Sequence, residues 1–131
     1  MPIKKKALSS LIFKLPLVIY PVNLECFFGC SDVQVDDYIK KHYNLSNWNL
    51  SLRNSDGLFS ASDDGVFIIR TRNIPKCPYD FSVLQHELFH AVVNILDRVG
   101  IKFSFDSEES YSYLFSYITK KIYEKLNIVI K

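Results

Sequence analysis

The chain has 131 residues, of which 48 % are hydrophobic and 23 % charged, with a formal net charge of +2. Such a length fits one domain and buries roughly two-thirds of its unfolded surface, so folding needs no metal or disulfide staple. The composition excludes a disordered or collagen-like chain, and the near balance of 16 basic against 14 acidic residues leaves no electrostatic footprint for nucleic acid or an anionic membrane as partner.

Lys4, Lys5 and Lys6 precede an apolar run, as in a secretory signal. Lys14 breaks that run, Pro16 follows, and no small-residue cleavage site is present. The uncharged stretch Leu15–Leu24 is about half the length that spans a bilayer. Residues 1–14 are therefore read as a basic tail, and the protein as cytoplasmic. Leu17–Phe28 reads as a strand interrupted near Pro21, because proline cannot donate to a ladder. Cys26, Cys30 and Cys77 are odd in number and lack a second pair at zinc-finger spacing, so they read as reduced, buried thiols.

Ser31 or Asp32 caps a short helix running to about Tyr43. Asn44–Ser55 is polar, with Trp48 and Leu50 as anchors and room for one more strand. Leu58–Ala61 and Val66–Thr71 flank Ser62-Asp63-Asp64-Gly65, and Asp-Gly between apolar segments predicts a hairpin. Val66–Thr71, just ahead of the next helix, is the strand expected to offer its edge to an extended peptide. Two helices close the chain, from about Asp80 to Val99 with Gly100 as its αL cap, and from near Ser107 to about Asn127. The layout is α+β: an N-terminal sheet with a short helix, then two long helices, in one domain spanning 1–131.

The first long helix carries His86-Glu87-Leu88-Phe89-His90, a complete H-E-x-x-H. At the chain's own His and Glu content this pattern arises by chance in roughly a few of every thousand such chains. Histidines at i and i+4 lie about 40° apart on a helix, so both imidazoles can reach one ion, and Glu87 falls on the flank where it can touch a water. His90, Val93 and Asp97 share the His86 face. Leu84, Leu88, Ala91, Val92, Ile95 and Val99 take the opposite arc. Val93 and the apolar loop before Asp80 suggest that the histidine face is covered as well. A catalytic zinc needs a third protein ligand. Glu108-Glu109 opens the last helix, and periodicity leaves the two acids tied, with completion of the helix dipole as the structural role of the other.

The stretch from Leu84 to Leu126 resembles the zincin metallopeptidases, in particular the gluzincin branch, where a helix after H-E-x-x-H supplies a glutamate ligand. H-E-L-F-H-A-V, G-I-K and E-S-Y-S-Y-L-F-S-Y-I are similar to small phage-encoded proteins classed as peptidases. That resemblance puts the acid on Glu109, with Tyr111, Tyr113, Leu114, Tyr117 and Ile118 matching. It implies a zinc held by His86, His90 and Glu109, with Glu87 as general base and then acid in hydrolysis of a peptide or protein substrate. Tyr111 and Tyr113 are candidates for stabilising the oxyanion. Tyr113 stands where gluzincins often carry an Asp or Asn. This departure and the small size motivate the alternative, a non-catalytic metal-binding, interaction or virion-assembly protein that keeps the fold.

Overall fold

The computed structural model describes residues 9–17, 20–45 and 48–130, with 128–130 in backbone only. It is a mixed α+β fold: β1 (Leu11–Leu17), β2 (Val22–Phe28), α1 (Asp32–Tyr43), β3 (Gly57–Ala61), β4 (Val66–Thr71), α2 (Pro78–Arg98), a 3₁₀ turn (Phe105–Ser107) and α3 (Glu108–Ile130). The sheet order is β1-β2-β4-β3. β1 and β2 are antiparallel, β2 and β4 parallel, and β3 and β4 antiparallel.

Several expectations change here. The apolar N-terminal stretch is a hairpin rather than one interrupted strand, because the chain reverses at Tyr20 and Pro21, where the Tyr20 N–H donates to the Leu17 carbonyl at 3.0 Å. Leu11–Lys14 accordingly belongs to β1 and not to a tail, while Lys4–Lys6 lie outside the described residues. β4, paired on both sides, has no free edge. Its six residues are all buried, the continuous burial of a central strand. The edge beside α2 is β3. The described residues between Asn44 and Ser55 form no strand.

α1 forms where its caps dictate. The Ser31 hydroxyl accepts from the Gln34 N–H while the Gln34 side chain accepts from the Ser31 N–H, and Asn44 ends the helix in the left-handed region at φ 52°. α2 starts with Pro78 in its first turn and stops at Gly100, whose φ of 85° lets the Ile101 N–H reach back to the Leu96 carbonyl at 2.9 Å.

Strand alternation gives the sheet two apolar faces. Leu24, Cys26, Phe28, Phe67 and Ile69 meet Leu84, Leu88, Ala91, Val92, Ile95 and Leu96 of α2 and Leu114, Ile118 and Ile122 of α3. Phe27, Val66 and Ile68 on the other face meet Val35 and Ile39 of α1, closed by Leu50 and Trp48. Two charged residues are buried on that second face. Glu25 accepts a hydrogen bond from the Tyr43 hydroxyl. Arg70 donates to Asp32 at 2.7 Å, to the Cys30 carbonyl at 2.9 Å and to the Leu50 carbonyl. Burial, with Glu25 nearby, pushes the Tyr38 phenol up to about 12. Cys26 and Cys30 are buried thiols, whereas Cys77 is exposed at the start of α2, against the expectation.

Candidate metal centre

α2 lies across β3 and β4 with its apolar stripe inward, which turns His86 and His90 outward. Both histidines are exposed, as is Asp97, and Val93 is only partly buried. The described residues, the loop before Asp80 included, do not supply the expected cover over this face. The inward stripe is as expected apart from Val99, which is 38 % exposed at the helix end.

The two imidazoles meet edge to face, with ring centroids 4.9 Å apart and Nε2 atoms at 3.2 Å. Two nitrogens on one tetrahedral zinc at ~2.0–2.1 Å stand about 3.3 Å apart, so this donor pair matches one edge of a zinc coordination sphere. Phe59 of β3 lies nearly parallel to His90, with ring centroids 6.3 Å apart.

Glu87 is half-buried between α2 and the start of β3. Gly57 makes that possible, because a Cβ there would lie 3.1 Å from Glu87 Oε1 and 2.7 Å from Val83 Cγ1. Burial pushes the Glu87 carboxyl above its ordinary value, against the pull of the two imidazoles. Beside His86 and Glu87 opens a polar cleft of about 410 Å³, walled by Ser55, Asp56, Gly57, Tyr79 and Ser82. Its far wall is a clamp: Tyr79 donates to the Asp56 carboxylate, Arg72 pairs with it at 3.4 Å, and Arg72 also donates to the Ser55 carbonyl at 2.7 Å. Nothing local in the sequence signals Asp56 or Gly57, since their roles arise only when β3 meets α2.

The structure thus brings His86, His90 and Glu87 together and leaves Glu109 apart. Among the described residues, no group of three His, Cys, Asp or Glu side chains is placed to hold a metal. Glu109 is exposed on the opening turn of α3. Glu108, expected at the helix terminus or in solvent, is exposed too but lines the groove between α2 and α3 together with Phe89 and Val92. Tyr111 is buried, with its hydroxyl donated to the Ile101 carbonyl at 2.8 Å, and Tyr113 is 72 % exposed. The Tyr111 hydroxyl is thereby committed to a backbone carbonyl. The residues therefore fit two ligands of a zinc site, with the third donor not in place. Compared with protein-family models, curated proteins and solved structures, the chain matches none of them.

Proposed function

We propose that the chain is a zinc-dependent hydrolase of peptide bonds. One observation carries this reading: His86 and His90 present their Nε2 atoms at 3.2 Å, with a half-buried carboxyl, Glu87, on the flank of the same helix turn. Zinc bound there would supply a polarised carbonyl and a water of lowered pKa. His86 and His90 would hold it, and the gluzincin resemblance implies Glu109 as a third ligand, which would have to close in on the pair. Glu87 would take the proton from the attacking water and hand it to the leaving amine. β3, which pairs only with β4 among the described residues, passes Glu87 at Gly57 and can hold an extended peptide by main-chain hydrogen bonds. The phage-like resemblance would have this activity in a host cytoplasm or a virion.

Elemental analysis and casein hydrolysis test the reading together. We expect one zinc per chain in the purified protein, lost in His86→Ala and His90→Ala. Glu87→Gln should keep the metal and lose on the order of a hundredfold or more in turnover. Glu108→Gln and Glu109→Gln, assayed separately for zinc, decide the third ligand. Unchanged hydrolysis in Glu87→Gln overturns the proposal.

The second reading, a metal-binding interaction protein without turnover, is favoured by the lack of a third donor at the pair among the described residues and by exposed Phe103, Phe105 and Tyr113. Zinc binding without hydrolysis by the wild-type protein would select it.

A further inference from the structure

Phe89 lies between the two histidines in sequence and about 60° round the helix from His86, on the side facing α3. It opens a groove of about 460 Å³ that Val92, Phe103, Tyr111 and Phe115 complete. Ser112 and Ser116 keep the α3 wall low. Phe103 leans edge-on against both Phe89, at 6.5 Å, and Tyr111, at 4.9 Å. Yet Phe89 is 48 % and Phe103 61 % exposed. Aromatic surface left open to water beside a catalytic helix gains free energy when an apolar group covers it.

Acidic residues outnumber basic ones around the groove, Lys102 standing next to Phe103 in the chain. Glu108 is the single charged residue lining it. Asp97 stands near enough to help push the Tyr111 phenol up, and Asp106 and Glu109 flank Glu108 along the chain. The nearest arginine on α2, Arg98, is turned away and donates to the Asp63 carbonyl at 3.0 Å.

We infer that this groove binds an aromatic or large aliphatic side chain of a peptide with a Lys or Arg next to it, the cation facing Glu108. It is then the specificity site of the proposed hydrolase, and the inference rests on that reading.

Binding is measured separately from turnover by using the full-length Glu87→Gln protein and short fluorescein-labelled peptides followed by anisotropy. A peptide with a central Phe-Lys pair should bind about tenfold more tightly than its Ser-Lys and Phe-Glu counterparts. On the same background Glu108→Lys should reverse the preference between Lys and Glu. Phe103→Ser should erase the preference for Phe over Ser, and because Phe103 is exposed, circular dichroism should be unchanged. The inference is overturned if no peptide binds, if both variants keep the wild-type ranking, or if Glu108→Lys loses zinc, which would make Glu108 a metal ligand. A Phe-Lys peptide that Glu87→Gln binds and the wild-type protein does not cleave sinks the peptidase reading and supports the groove. Cleavage indifferent to the Phe-Lys pair sinks the groove alone.

Discussion

A methyl group at Gly57 would sit 2.7 Å from Val83 Cγ1 and 3.0 Å from Glu87 Cγ, closer than packed carbons allow. Gly57 is not in the left-handed region, so the backbone itself tolerates alanine and the whole conflict lies with these two side chains. Both belong to α2, one turn apart, and either the helix moves off β3 or Glu87 swings out of its half-buried place. Overpacking of this kind costs about 1–3 kcal/mol. The expected result for Gly57→Ala is a modest loss in urea midpoint and a larger loss of hydrolysis, with zinc content unchanged because the added methyl group meets Val83 and Glu87 and neither histidine. Val83→Ala on top of Gly57→Ala removes the closest contact and should recover part of both. Equal activity in Gly57→Ala and wild type would show that Glu87 does not depend on this close approach.

Elements on the second face of the sheet are tied together through Arg70. From central β4 its guanidinium reaches the first turn of α1 at Asp32, the β2–α1 connection at the Cys30 carbonyl and the irregular segment at the Leu50 carbonyl. Arg70→Met leaves two carbonyls without their donor and should cost about 3 kcal/mol in urea unfolding. The pH dependence is specific. The Arg70 hydrogen bond, aided by the Ser51 hydroxyl, holds the Asp32 carboxyl below its ordinary value. A depressed carboxyl stabilises the fold above the unfolded pKa of about 3.9 and loses that contribution as pH falls through the lower folded value. Asp32→Asn should therefore be less stable than wild type at neutral pH, and the gap should close below about pH 4. A gap independent of pH would refute the charge-based account. Local signals made α1 and α2 legible in the sequence: the Ser31 cap and Gly100 each act within a few residues, whereas α2 begins at Pro78, ahead of the start expected at about Asp80. The role of Arg70 was not legible, because its carbonyl partners lie 20 and 40 positions away. The choice between Glu108 and Glu109 depends on how the turn from Ile101 to Ser107 rotates α3, which helical periodicity does not encode. The edge position of β3 likewise follows from the parallel β2–β4 pairing, a long-range event invisible to alternation within a strand.

At the scale of the whole molecule, one four-stranded sheet serves two helical layers, and β4 contributes Phe67 and Ile69 to one face and Val66 and Ile68 to the other. Neither layer keeps its core without that strand, so the two should unfold together. The chain supplies its own reporters. Its single tryptophan, Trp48, packs on the α1 face and donates to the Ser60 hydroxyl of β3 at 2.9 Å. Far-ultraviolet circular dichroism is dominated by α2 and α3, the two longest helices, on the opposite face. Tryptophan fluorescence and circular dichroism should therefore give superimposable urea transitions. A mutation in each layer sharpens the test. Ile118 on α3 is fully buried, and Ile118→Ala should cost about 2–5 kcal/mol. Tyr43→Phe on α1 removes the hydroxyl that Glu25 accepts and should cost about 1–3 kcal/mol. The two sites share no partner, so the costs should add in the double variant to within ~0.5 kcal/mol. Each single variant should also shift both spectroscopic transitions by the same amount. If Ile118→Ala moves the dichroism midpoint and leaves the Trp48 midpoint where it was, the sheet is not a shared core and the two layers are separate folding units.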